Sequence, residues 1–189
     1  MQNEIILTQC KRTEPKLLDR MSVHYSQPKG FVGRNICYEV TFEGNYYGNV
    51  VAGSATRFLK GRNEYLGITI KMLNNVVNNI FFNVCKVDGK YPMRNFTTAV
   101  IEKFVKVVKI DWENKYGDKV VGFETLIEKP RTGELYKRAG WKEVGETIGY
   151  TCKRVAGKGT DSWSGKRVWK TDKESLRPKI ILCFKFDAV

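Results

Sequence analysis

The chain has one histidine, His24, and it stands beside Tyr25 and Ser26 in the stretch "SVHYSQPKGFVGRN". An unperturbed imidazole titrates at about pH 6.5, so His24 is the side chain readiest to exchange a proton near neutrality. It is a candidate general base, and Tyr25 and Ser26 are counted with it as candidate catalytic residues. The alternative is a loop histidine making structural hydrogen bonds.

Glu124 lies in "VVGFETLIE", an acid inside an otherwise apolar strand-like run. Burying an unpaired carboxylate costs several kcal/mol, on the order of the desolvation of one ion, so Glu124 needs a partner or a task. The tasks open to it are general base toward an amine and metal ligand. The plainer reading is a strand end where the carboxylate reaches water. A metal on His24 and Glu124 would need Tyr25 or Tyr136 as a further ligand, because one histidine cannot make a two-histidine site.

Charge supplies a second set of candidates. The 189 residues include 33 Lys plus Arg against 20 Asp plus Glu, a net charge of +13, which is the footprint of a polyanion binder. Residues 150–179 hold nine bases and three acids, a net +6. Lys158, Lys166 and Arg167 belong to that stretch, with Trp163 and Trp169 among them. Positive charge tracks a phosphate backbone and an indole offers its face to an unstacked base; the alternative is that the tryptophans anchor the stretch to the domain. Arg34, Arg57 and Arg62 flank the first apolar hairpin, where they could meet phosphate or simply be solvated. Asn78 and Asn79, in "NNVVNNIFF", could orient a base edge or could form a turn.

These residues need a frame. The length and the 42% hydrophobic content predict one cored domain spanning 1–189, with the basic stretch at about 150–179 as an insertion before the last strand. Five widely spaced cysteines, none in a C-x-x-C pair, indicate neither a disulfide framework nor a zinc knuckle. No apolar run approaches the roughly 20 residues that span a bilayer, and the start lacks a signal-peptide pattern, so a cytoplasmic protein with no membrane partner is expected.

The elements read as mixed. "EIILTQC" is a strand and "EPKLLDRMSVHYS" a short helix or turn. "NICYEVTFEGNYYGNVVAG" is a hairpin turning at Gly44, and "NNIFFNVCKV" a buried strand. Phe96, Val100, Ile101, Phe104, Val105 and Val108 recur at helical spacing, which predicts an amphipathic helix from Asn95 to about Asp111, capped by Asn95 or Thr97. "KVVGFETLIE" is a strand, "GELYKRAG" a short helix ending at Gly140, "WKEVGET" a strand, and "KIILCFKF" the closing strand. The class is α+β (α/β), with a mixed, mostly antiparallel sheet flanked by helices.

"GELYKRAGWKEVGET" resembles the L-Y-x-x-x-G-[FW]-x-x-x-G pattern of the GCN5-related N-acetyltransferases, and the hairpin and the strand-to-helix segment stand in that superfamily's order. "HYS", "GSATRF", "VVNNIFF", "RNF" and "GFETLIEKPRTGELYKRAGWKEVGETIG" together resemble, more narrowly, the phage Mom-type DNA-modification proteins and the DruA family of Druantia phage defence. The resemblance implies a GNAT-like fold acting on or bound to double-stranded DNA. For the Mom-type proteins it implies attachment of a small acyl or carbamoylmethyl-type group to the exocyclic amine of adenine, with acetyl-CoA or another acyl-CoA as donor and iron as a further requirement. It also implies Tyr136 as general acid toward a leaving thiolate. A base altered on its ring-edge amine must leave the stack first, which suits the Trp-bearing basic stretch.

One departure stands out. The superfamily's glycine-rich turn before the main helix is replaced by "YPMRNFTT", so Arg94, Asn95, Phe96, Thr97 and Thr98 are the candidate phosphate holders, through charge and helix-start amides. The missing turn favours a second reading, a DruA-like DNA-binding module without transferase chemistry. A third is an acyltransferase acting on protein or RNA.

Overall fold

The computed structural model describes residues 4–57, 59–149, 151–154, 169–172 and 176–186, the strands at 151–154 and 169–172 by their backbone only. The chain runs β1 (Ile5–Cys10), α1 (Pro15–Val23), β2 (Asn35–Phe42), β3 (Asn45–Ser54), α2 (Lys60–Leu66), a 3-10 turn (Ile70–Asn75) and β4 (Val76–Val84). It continues with α3 (Phe96–Tyr116), β5 (Gly122–Glu128), α4 (Glu134–Arg138), β6 (Lys142–Glu146), β7 (Thr151–Arg154), β8 (Trp169–Asp172) and β9 (Lys179–Lys185). Seven strands form one sheet in the order β1-β2-β3-β4-β5-β9-β6, and β7 and β8 pair as a separate antiparallel ribbon.

The β2–β3 hairpin turns on Glu43 and Gly44, both at positive φ (49° and 79°), the two-residue turn whose twist matches that of paired strands. Helix α3 lies against one face of the sheet because Phe96, Val100, Ile101, Phe104, Val105, Val108 and Trp112 make one apolar stripe. It meets Tyr38, Val40, Val50, Ala52, Val77, Phe123 and Leu182 in the main core. The opposite face carries α1, through Leu17 and Met21 on Cys37, Val51 and Phe81, and α2, whose leading residue Leu59 packs on Ile181 and Cys183. No helix among the described residues is long and apolar enough to cross a membrane.

Three details depart from the sequence reading. Helix α3 runs five residues beyond Asp111, to Tyr116, and its N-cap Asn95 sits at φ 58° without a side-chain capping bond. Helix α2 and the 3-10 turn were not anticipated in "RFLKGRNEYLGITIKMLNN". Backbone pairing also makes the ends of the basic insertion a β-ribbon.

The feature that shapes the site is a parting of the sheet. Val51 opposes Phe81 and Ala52 opposes Asn79, so Ile80 is an extra residue, a bulge that bends β4. Strands β4 and β5 pair in parallel only from Val76 to Asn78 against Gly122 to Glu124. From Asn79 onward β4 stays with β3, while β5 stays with β9 along its whole length. A gap opens in the middle of the sheet.

Candidate active site

A cavity of about 680 Å³ fills that gap. Asn79 to Cys85 line one wall, Thr125 to Glu128 the other, and His24, Tyr25, Ser26 and the buried Tyr136 line it as well. A second cavity, of about 1000 Å³, adjoins it over β6 and β9 and shares Tyr25, Ser26, Glu128 and Lys179 with it.

Alternation along the strands assigns the polar residues to opposite faces. Asn79 and Thr125 turn toward α4: Tyr136 Oη donates to Asn79 Oδ1 (2.5 Å), and Thr125 Oγ1 donates to the Asn79 carbonyl (2.9 Å). The Asn79 amide donates to the carbonyls of Val51 (3.2 Å) and Phe81 (3.1 Å). Every polar group of that side chain is engaged within the domain, so Asn79 bridges the bulge and does not read a base edge. Burial pushes the Tyr136 phenol up, against a lowering contact from Thr125.

Asn78 and Glu124, the last parallel pair, turn to the α2 face. Glu124 is fully buried and ion-paired with the equally buried Arg62. Its other oxygen accepts the Thr56 amide (2.6 Å), and Arg62 Nη2 donates back to the Thr56 carbonyl (2.7 Å). Asn78 Nδ2 donates to Thr56 Oγ1 (3.3 Å), and Arg62 Nε donates to Asn63 Oδ1 (2.6 Å). Burial raises the Glu124 pKa, opposed by Arg62 and the Thr56 donors. These contacts lock the β3–α2 loop onto the sheet. Three expectations are thereby corrected: Glu124 is neither the general base nor a metal ligand, Asn78 is buried in the clamp and does not face DNA, and Arg62 is sealed inside and not solvated.

His24 closes α1 and lies against Phe81 (ring centroids 4.7 Å) and Tyr25 (4.2 Å). Its Nδ1 accepts the Ser26 amide (3.3 Å) and stands 2.8 Å from Ser26 Oγ. A nitrogen that accepts an amide carries a lone pair, so the proton of the neutral ring is on Nε2. Burial lowers the His24 pKa, the Phe82 carbonyl opposes that, and the Arg131 charge adds to it. Arg131 itself stacks 3.5 Å from the Tyr25 ring centroid, and burial raises the Tyr25 phenol.

His24 and Tyr136 therefore share a cavity, and Glu124 is absent from its lining. With His24 Nδ1 turned onto Ser26 and Glu124 ion-paired with Arg62, these residues do not fit an iron ion. Among the described residues no group of three His, Cys, Asp or Glu is placed to hold a metal.

The residues assigned to phosphate divide. Arg94, Asn95 and Thr98 line a surface cavity of about 480 Å³ at the start of α3 together with Arg138, which the sequence reading missed. Phe96 is a core residue against Phe42, Tyr47 and Tyr91, so only its backbone amide is at the helix start. Thr97 is the next residue of that first turn. In place of a glycine-rich turn, the preceding loop folds on itself: Val87 bridges Lys90 around Asp88 and Gly89, both at positive φ. Tyr91 Oη then donates to the Val84 carbonyl (3.2 Å) at the end of β4.

Of the DNA candidates, Arg34 is ion-paired with Asp118 and packs on Tyr116, so it braces the start of β2. Arg57 is exposed on the β3–α2 loop. Lys158, Trp163, Lys166, Arg167 and the side chain of Trp169 lie outside the described residues.

The sheet and its flanking helices have the fold of solved GCN5-related N-acetyltransferases. The Bacillus subtilis acetyltransferase solved with CoA aligns over 97% of this chain and 99% of its own, at TM-score 0.57 and 11% identity. A GNAT family acetyltransferase from Elizabethkingia anophelis with acetyl-CoA bound aligns over 98% and 100%, at 0.54 and 11%. An aminoglycoside acetyltransferase, AAC(6')-Ib, in complex with coenzyme A and kanamycin aligns over 96% and 95%, at 0.57 and 11%. The expected fold class is thus found. At these identities the likeness is one of fold. No protein-family model and no curated protein matches the sequence.

Proposed function

We propose that the protein is a transferase that moves a small acyl-type group onto an amine of DNA, the exocyclic amine of adenine being the acceptor that its likeness to Mom-type proteins suggests. The observation that carries the reading is the gap between Asn79–Val84 and Thr125–Glu128, a cavity built from unpaired strand edges and lined also by His24 and Tyr136. The chain's +13 charge supports a polyanionic substrate.

Acyl-CoA fits as donor in two respects. Unpaired strand edges offer hydrogen bonds to amides, and Arg94, Arg138 and the first-turn amides of α3 offer charge and donors to phosphate. When bound, it would supply an activated carbonyl carbon and a thiolate leaving group. His24, held neutral by its lowered pKa, takes the proton that the acceptor amine loses. Tyr136, whose raised pKa keeps its phenol protonated, holds a proton at Oη for the leaving group once that bond turns from Asn79. Phe82 and Leu126 wall the cavity and limit water around the carbonyl.

The test is nucleoside mass spectrometry on DNA co-expressed with the protein. A new adenine species is expected, and an unmodified profile with donor present counts against the reading.

A second reading, a DruA-like DNA-binding module, is favoured by one observation: Tyr91 already occupies the Val84 carbonyl, and the β4–α3 loop is self-paired. Calorimetry with acetyl-CoA separates the two, since a binding module takes up DNA and no thioester.

A further inference from the structure

Ser26 and His24 form an arrangement that a direct transfer does not need. His24 Nδ1 carries the lone pair, because it accepts the Ser26 amide, and the Ser26 hydroxyl lies 2.8 Å from that same nitrogen. The Ser26 amide fixes the tautomer of the neutral ring, with its proton on Nε2. The turn between the two residues is tight: Gln27 N–H donates to the His24 carbonyl (2.9 Å), and Gln27 sits at φ 38°. A side chain larger than glycine rarely holds that conformation unless its surroundings require it.

Position completes the picture. Ser26 is exposed and lines both the gap cavity and the adjoining cavity over β6 and β9. Arg131 lines the first cavity, and Lys179 and Glu128 line both, so two cations stand with one carboxylate near the junction where a carbonyl oxygen would become anionic.

We propose that Ser26 is a nucleophile, activated by His24, that carries the transferred group as an ester between the two cavities. The proposal rests on the transferase reading above for its donor and acceptor. Ser26 Oγ bonds to the carbonyl carbon of a thioester or activated ester while its proton passes to His24 Nδ1. The carbonyl re-forms as the bond to the leaving group breaks, and the leaving group departs with the proton from Nδ1. The acceptor amine then attacks the Ser26 ester carbonyl and loses a proton to Nδ1, and Ser26 Oγ leaves and takes that proton back. Two half-reactions thus replace one direct displacement.

The probe is p-nitrophenyl acetate, which needs neither CoA nor DNA. The intact protein is expected to release a burst of nitrophenolate close to one equivalent and to gain one acetyl group on the peptide that contains Ser26. Ser26→Ala abolishes burst and adduct. His24→Gln slows the burst by about 100-fold, the scale of a lost general base. Thermal unfolding of each variant near the parent temperature establishes that the fold is kept, and an exposed Ser26 makes that the expected result. No adduct, an adduct on lysine only, or one that persists in Ser26→Ala overturns the proposal. The two readings fail separately: DNA still modified by Ser26→Ala removes the serine ester alone, while a Ser26 adduct without any nucleoside product removes the DNA transferase alone.

Discussion

Tyr136 donates its phenolic proton to the side-chain carbonyl of Asn79, 2.5 Å away, at the point where β4 leaves β5. One bond therefore joins the proton donor of the cavity to the strand whose bulge opens it. Tyr136→Phe leaves the buried Asn79 oxygen without its donor, and stability is expected to fall by about 1–3 kcal/mol in urea unfolding. If Tyr136 also delivers the leaving-group proton, transfer falls by roughly 10²–10⁴ at unchanged substrate affinity. A variant that loses stability but keeps its rate would confine Tyr136 to a packing role.

The Arg62–Glu124 pair has no exposed surface, so removing one member strands the other charge. Glu124→Ala is expected to destabilise the fold by about 3–5 kcal/mol. A double replacement, Arg62→Met with Glu124→Leu, recovers part of that, because no ion is then buried. The midpoint of chemical denaturation reports both. Equal loss in the single and double variants would show that the hydrogen bonds to Thr56, not the charge pair, hold the loop.

His24 gives one imidazole signal in NMR, since the chain has no other histidine. Its titration midpoint is expected below the ordinary value of about 6.5, because burial disfavours the charged ring. Arg131→Gln removes a nearby positive charge and raises the midpoint. The sign for stability follows: with the folded value depressed, the unfolded chain binds more protons as pH falls below about 6.5. His24 thus contributes stability above that pH and loses it on descent through the folded value. A midpoint at or above the ordinary value contradicts this placement of the ring.

Most elements were legible because their signals are local. The hairpin turn at Glu43–Gly44, the stripe from Phe96 to Val108 and the glycine ending α4 each lie within a few residues of what they specify. The site was only half legible. That Glu124 needed a partner followed from its apolar neighbours, but the partner is 62 residues away and is an arginine that composition places on the surface. The bulge at Ile80 has no signature in "NNIFF", since neither glycine nor proline marks it. Without the bulge, Asn78 and Asn79 look alike, although one belongs to the clamp and the other to the cavity.

DNA binding is expected to weaken steeply with salt. The logarithm of affinity falls with that of salt by about 0.9 for each phosphate neutralised. Lys166→Glu with Arg167→Glu lowers that slope by about two such contacts if both residues meet the backbone. Fluorescence anisotropy of a labelled duplex across a salt series measures it. An unchanged slope moves the interface away from the 150–179 stretch.

The three residue pairs between β4 and β5 have a mechanical meaning. The middle strands of a sheet are ordinarily the last to open, yet here four strands on one side and three on the other are sutured at one end only. Solvent exchange is therefore expected to enter at the centre and spread outward, with β2 and β3 protected longer than the parted lengths of β4 and β5. Beyond that short seam Thr125 Oγ1 and Tyr136 Oη hold Asn79 across the gap, so the width of the cleft is set by those two side chains together with the bend of β4.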